Sequence, residues 1–377
     1  GGVGKTTLAV HWAHLLRPAY PDGQFYVDLA GGQGHHAAPA AVLARFLRAL
    51  GVPDERMPEG LDERVELYRS LLAFRRALVV LDNARDEAQI EPLLPGGPTC
   101  AVLVTSRRRM AGLPGAHLVD LTELPADQAL ALLRRIVGPD RVDAEAAAAH
   151  EIVRLCGFLP LAVRVVGARL VARPHWRLGT MAQRLAEART RLDELSYAQH
   201  DVRVSLTLSY RDLDPDARRL FRRLGLLDVP DLTAVVGAAL LDAPVQRARE
   251  LLDQLADRHL VDAVAPAGGD QPRYRMHDLV RLYAREQAEA EEPEPARDAA
   301  LCRVFGCWLA LAEAAHRGVS GGDFTVLHGD AERWEPIEHG APSPMTDPLA
   351  WYDAERPNLV AMVRQAAASG HHEACWD

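Results

Sequence analysis

Lys5 is the only lysine in a chain whose Lys and Arg together number 43, and it stands in Gly1-Gly2-Val3-Gly4-Lys5-Thr6-Thr7. A compact ammonium on a flexible stem can reach through a ring of backbone N–H groups to a phosphate oxygen. A planar guanidinium fork cannot. The stretch fits the second half of the phosphate-loop pattern G-x-x-x-x-G-K-[ST], with Gly4, Lys5 and Thr6 in register and the first glycine falling before residue 1. Small residues in succession let their N–H groups point inward as an anion nest. Residues 7–13 then read as a helix whose positive N-terminal end faces the phosphates, and the Thr6 hydroxyl is placed to ligate Mg²⁺. The plain alternative is a glycine-rich turn with an incidental lysine; the solitary lysine and the Thr-Thr pair weigh against it. By itself the motif leaves kinases, transporters, GTPases and switches open.

The flanking pattern supplies the sheet that such a loop needs. Residues 24–29 form a short β-rich run that stops at Gly31-Gly32. Residues 77–82, Ala-Leu-Val-Val-Leu-Asp, are a continuous apolar run ending in a carboxylate, as a buried parallel strand reads. Residues 100–107 read as another strand and residues 116–121 as a third, shorter one. Helical patterns at 40–50 and 61–74 alternate with them, which implies a parallel α/β sheet binding its ligand at the carboxyl ends of the strands. Asp82 and Arg107 lie at such ends. The strand preceding the phosphate loop is missing, so the sheet is expected to keep an open position beside the strand ending in Arg107.

Beyond Leu121 the β signal fades. Helices are expected at 125–137, 144–156 and 160–171. Asp214-Pro215 opens a helix to Leu224, Asp231 is expected to cap 232–241, and Pro244 opens another to about Asp257. Residues 259–264 and 273–276 flank Gly268-Gly269-Asp270 as a hairpin, and a helix follows from Asp278. Three helices plus a hairpin is a winged-helix order. Residues 289–295, acidic and broken by two prolines, read as a linker. Helices at about 299–317 and from Asp347-Pro348 follow, with another beginning near the end. The expected units are thus a nucleotide-binding domain at 1–121, a helical domain at 122–195, a winged helix at 196–290 and a helical region at 299–377.

Length, at 377 residues, suits two to four domains. A net charge of −9 gives no global basic field for nucleic acid or anionic membrane. Residues 201–285 hold 13 Arg against 13 Asp and Glu, which argues against direct DNA contact by the winged helix. The five cysteines are scattered, and Cys302 and Cys307 have the spacing of neither a zinc clip nor a redox pair. They read as reduced thiols of a cytoplasmic protein. No apolar run approaches the ~18 residues of a membrane span, and no signal peptide is evident.

Several residues carry competing readings. Asp82, about 75 residues after the loop, suits a Mg²⁺-shell carboxylate; the alternative is a strand-end cap. Asn83 follows it, where an acid would serve hydrolysis. An amide orients water but cannot take its proton, and Asp86 is a weak substitute. Arg107 could sense a γ-phosphate, while Arg108 and Arg109 read as solvated. Gly157 and Pro160 by themselves mark a helix–helix corner. His277, in Met276-His277-Asp278, is by itself a structural hydrogen-bonder. His35-His36 and His371-His372 suggest solvated histidines.

In order along the chain, Gly1–Thr7, Leu78–Asp82, Thr105–Arg107, Gly157–Leu161 and Met276–Asp278 resemble the NB-ARC module of the STAND class of signal-transduction ATPases. Plant disease-resistance proteins and apoptosome-forming ATPases share that module. The variants at 24–29 and 81–84 are most similar to actinobacterial AfsR/SARP-type transcriptional regulators, and the resemblance covers about residues 1–290. It implies a nucleotide-gated switch in which ADP locks a closed monomer and ATP opens it to self-association. Gly2, Val3 and Gly4 would then cradle the phosphates. Lys5 would contact the β-phosphate, Thr6 the Mg²⁺ and Thr7 the α- and β-phosphates. Pro160 would pack on the adenine and His277 would hold the ADP β-phosphate. DNA would be read only by a separate N-terminal domain, and a signal would enter through C-terminal tetratricopeptide repeats begun at 299–377. The competing functions are a P-loop ATPase or kinase with true turnover, and a winged-helix repressor with an accessory nucleotide site.

Overall fold

The computed structural model describes residues 2–29, 37–187, 191–197, 200–264, 272–320, 329–341 and 347–377. Gly1, Gly31-Gly32, His35-His36 and the hairpin tip at 268–270 lie outside the described residues. The chain divides into two compact units. One holds Gly2–Leu124 with Leu159–Leu161; the other holds Pro125–Phe158 and Ala162–Asp377.

The first unit runs α1 (Lys5–Leu16), β1 (Gly23–Asp28), α2 (Pro39–Ala49), α3 (Leu61–Leu72), β2 (Ala77–Ala84), a single turn α4 (Glu87–Ile90) and β3 (Ala101–Ser106). The strands form a parallel sheet in the order β1-β2-β3. The central strand explains its own sequence, because both of its faces are covered. Leu78 and Val80 pack with Ala9 of α1, while Val79 and Leu81 join Phe25, Val27, Phe46, Leu47, Tyr68 and Leu72 on the side of α2 and α3. An unbroken apolar run is what a strand with two dry faces requires. Among the described residues β3 pairs only with β2, and its residues 101–104 are half-buried. Residues 116–121 form no strand: the segment after Pro114-Gly115 has no regular secondary structure, and Leu118 and Val119 are exposed. Short alternation without a neighbouring strand had nothing to pair with.

The second unit is helical apart from small hairpins. It contains α5 (Ala126–Val137), α6 (Pro139–Ala144), α7 (Ala146–Leu155), α8 (Pro160–Ala172), α9 (Leu178–Ala186), α10 (Arg191–Glu194), β4 (Ser196–Tyr197), β5 (His200–Asp201), α11 (Val202–Arg211), α12 (Pro215–Leu224), α13 (Ala234–Leu241), α14 (Val245–Asp257), β6 (Asp262–Val264), β7 (Arg273–Arg275), α15 (Asp278–Glu291), α16 (Glu294–Ser320), α17 (Pro348–Ala368) and α18 (His372–Trp376). The first residues of α8, Pro160 and Leu161, belong with the first unit. Asp214 caps α12 by accepting from the Ala217 N–H, with Pro215 at the first helical position. The wing strands β6 and β7 pair antiparallel, and Leu232 bridges to Tyr274 as a third rung.

Two local expectations fail for long-range reasons. Asp231 does not cap α13, whose cap position is Thr233; its carboxylate instead accepts from Arg273 Nε at 2.7 Å. Nor do residues 289–295 form a linker. Helix α15 runs to Glu291 and α16 starts at Glu294, leaving only Glu292 and Pro293 between them. Glu292 is buried, bonded by Arg222 Nε and Arg223 Nε at 2.8 Å each, while Glu291 pairs with Arg222 and Tyr210. Charges that look solvated in sequence are neutralised by arginines seventy residues earlier.

This cluster makes acid sensitivity predictable. Burial would push the Glu292 carboxyl up, but the bonds from Arg223 and Arg222 outweigh it and hold it below the usual range. A carboxyl depressed in the folded state stabilises above its unfolded pKa, roughly 4.3, and that contribution is lost as pH falls through the folded value. Urea midpoints measured between pH 3 and 7 should show Glu292→Gln weaker than the parent at neutral pH, with the gap closing in acid. Parallel curves would count against the buried pair.

Among the described residues one helix, Glu294–Ser320, is long and apolar enough on average to meet the length and composition of a membrane span, although no uninterrupted apolar run in it is that long. It does so through alanines spread between charges. Its residues Val304, Phe305, Cys307 and Trp308 are buried within the unit.

Candidate functional site

The phosphate-loop motif folds as its composition requires. Gly2 and Gly4 both have left-handed backbones, with φ of 80° and 94°, and Gly4 occupies the cap position of α1. A side chain at either position would be strained, and at Gly2 a Cβ would also press on Leu161 Cβ at 3.3 Å. The Gly2 carbonyl accepts from the Leu161 N–H at 3.2 Å, so the residue after Pro160 pins the start of the loop. Val3, Lys5 and Thr6 are half-buried and Thr7 is exposed on the first turn of α1. Burial lowers the Lys5 pKa, and the Arg107 guanidinium pushes it the same way. Among the described residues no carboxylate pairs with Lys5. Two cations near the positive end of a helix make a seat for an anion.

Asp82 is buried at the carboxyl end of β2 and collects four donors. Thr6 Oγ donates to Oδ1 at 2.8 Å, Tyr26 OH to Oδ2 at 3.0 Å, Asn83 Nδ2 to Oδ2 at 3.4 Å, and Thr105 Oγ makes a short bond to Oδ1. A bulge aims it there: pairing with β3 shifts register between Leu81 and Ala84, and Asn83 sits at φ 56°. Asparagine is among the few residues that tolerate that conformation. The union of the Thr6 hydroxyl with the Asp82 carboxylate is an all-oxygen donor set, which suits a hard cation such as Mg²⁺.

Sequence reasoning brought Lys5, Thr6, Asp82 and Arg107 to one place and missed three neighbours. Tyr26 and Asp28 arrive from β1, where the parallel register sets Asp28 opposite Asp82. Asn83 Nδ2 donates to Asp28 Oδ1 at 3.0 Å. Thr105 comes from β3, and its Oγ also accepts the Asn83 N–H at 3.0 Å. Burial first, then the carboxylate charge of Asp82, raises the Tyr26 phenol to about 12, so it stays a donor at neutral pH. Only strand ends in correct register reveal these residues. Asp86 is no catalytic base here: it caps α4 through the Gln89 N–H and pairs with Arg85. Arg108 and Arg109 are exposed, with Arg109 paired to Asp120.

His277 is built into the second unit. At the cap position of α15 its Nδ1 accepts the Leu279 N–H at 3.1 Å, which makes Nε2 the protonated nitrogen. Nε2 then donates to the Gly157 carbonyl at 2.9 Å. Gly157 ends α7 in a Schellman arrangement, with Gly157 N–H on Arg154 O and Phe158 N–H on Val153 O. Any Cβ at Gly157 would stand 2.1 Å from the His277 ring, and φ there is 59°. Glycine is therefore required twice over, by conformation and by the imidazole. Both motif residues singled out in sequence thus meet, though through a carbonyl.

The family of winged helix-turn-helix domains matches residues 213–289. The regulatory protein AfsR of Streptomyces griseus is 48% identical over 98% of this chain and 37% of its own length. The disease resistance protein RPP8 of Arabidopsis thaliana is 28% identical over 77% of this chain and 35% of its own. The solved ORC2 protein of Aeropyrum pernix superposes with a TM-score of 0.41 at 14% identity, covering 77% of this chain and 85% of that one. The chain spans little more than a third of the AfsR relative it matches.

Proposed function

This chain belongs with the AfsR-type NB-ARC proteins, and on that premise we propose that it is an ADP- and ATP-binding switch, the regulatory core of a transcriptional regulator. The observation that carries the reading is the convergence of Lys5, Arg107 and the Thr6–Asp82 pair at the start of α1. Gly2, Val3 and Gly4 would cradle the phosphates, Lys5 would neutralise the β-phosphate, and Thr7 would meet the α- and β-phosphates. Thr6 and Asp82 would hold Mg²⁺, which supplies charge neutralisation of the phosphates when bound. Arg107 would report the γ-phosphate, and Pro160 would pack on the adenine.

Slow turnover is the expected chemistry. Asn83, next to Asp82, spends its amide on Asp28 and Asp82 rather than on a proton, and Asp86 is committed as a cap. His277 would act by exchange: its Nε2–H serves the Gly157 carbonyl and would be traded for a diphosphate oxygen. ADP then favours one state only through the extra contacts made there. Activation would release this hold and permit self-association, with DNA contact left to another domain and the signal entering through C-terminal repeats begun at 299–377.

Calorimetric titration with ADP and Mg²⁺ tests the reading. One-site binding is expected, weakened tenfold or more by His277→Ala through loss of one charge-assisted bond of about 1.5–3 kcal/mol, with ATP affinity little changed. No binding by the parent protein would remove the nucleotide itself; equal ADP affinity in both proteins would remove His277 alone.

A further inference from the structure

The second unit carries a cluster that the switch does not use. Asp298 and Cys302 lie one turn apart on α16, and His371 occupies the cap position of α18. Their ligand atoms all lie within 4.8 Å of one another. His371 Nε2 is 2.9 Å from Asp298 Oδ1. The imidazole and the Phe305 ring also meet edge to face, with centroids 5.1 Å apart, and the His371 backbone N–H bonds Ala366 O at 2.9 Å. The ring is therefore held, not loose.

Ser369 Oγ lies 2.9 Å from His371 Nδ1, on the far side of the ring from Asp298. The same hydroxyl has Gln365 O at 2.7 Å and Ala366 O at 3.5 Å within reach. His371 Nε2 and Asp298 Oδ1 by themselves make an ordinary hydrogen-bonded pair. The thiol of Cys302 is a third donor directed to the same place, and an N, O and S set is that of zinc-class sites. A hydrogen bond on the far ring nitrogen is also how ligating histidines are commonly oriented.

We propose that Asp298, Cys302 and His371 bind one thiophilic divalent cation of the zinc class, with water as fourth ligand. Binding releases the Cys302 thiol proton to solvent, since the thiolate is the ligand. The bound ion would join α16 to the α17–α18 corner.

Cobalt(II) is the probe, titrated into nucleotide-free protein and followed by thiolate-to-cobalt charge-transfer absorption, then displaced with Zn²⁺. One equivalent is expected. Cys302→Ser should abolish the charge-transfer band, and Asp298→Asn and His371→Ala should each lower affinity at least tenfold. Asp298 and Cys302 are exposed, so Asp298→Asn and Cys302→Ser leave the packed interior intact. The absence of a band in the parent protein would mean that the cluster holds only its own hydrogen bonds, and would overturn the proposal. A band that persists in Cys302→Ser, or affinity unmoved by His371→Ala, would overturn it equally.

Discussion

Lys5→Ala should weaken ADP binding roughly ten- to hundredfold, the equivalent of one charge-assisted hydrogen bond of about 1.5–3 kcal/mol. The ammonium is half-buried, its pKa is lowered by desolvation and by Arg107, and no described carboxylate compensates it. An arriving polyphosphate therefore relieves an unfavourable charge as well as gaining a bond. Removing that charge should spare or slightly improve the stability of the free protein while costing affinity. Lys5→Arg should restore little, because the guanidinium cannot thread the loop as an ammonium does. Calorimetry reads affinity and thermal unfolding reads stability. An affinity loss accompanied by a matching drop in stability would point to a damaged loop and count against a direct phosphate contact.

Glu355→Ala should be the most destabilising single change at a polar site of the second unit. The carboxylate is 4% exposed in the middle of α17. It accepts from Arg273 Nη1 at 2.7 Å, Asn358 Nδ2 at 2.8 Å and Trp308 Nε1 at 3.3 Å. One side chain thus ties the wing strand β7 to α16 and α17. Breaking a buried pair by deleting one partner costs about 3–5 kcal/mol, which corresponds to a Tm fall of roughly 6–20 °C for a unit of this size. Glu355→Gln keeps the shape and part of the bonding and should fall between. A loss below about 1 kcal/mol in Glu355→Ala, measured by denaturant unfolding, would mean that the three donors find other partners.

Local signals were legible wherever one neighbour sufficed to determine them. The run at 77–82 announced a strand covered on both faces, and Asp214-Pro215 and Asp347-Pro348 announced helix starts that the backbone confirms. Lys5, Thr6, Asp82 and Arg107 were legible because their spacing is imposed by a strand–loop–helix order. Tyr26 and Thr105 were not: nothing beside them in sequence marks them as partners of Asp82, and only the register of three parallel strands delivers them. Asp231 and Glu292 were misread for the same reason, since their partners Arg273, Arg222 and Arg223 lie 42 to 70 residues away. His371 looked solvated because its partner Asp298 comes from a helix far earlier in the chain.

Having a single ε-amino group, set where it is half-shielded and easier than usual to deprotonate, gives this chain one side-chain amine for acylating chemistry. Amine-directed reagents would leave its many arginines untouched. A mass spectrometer could therefore score site occupancy from the fraction of one residue that escapes labelling, with no radioactive or fluorescent ligand.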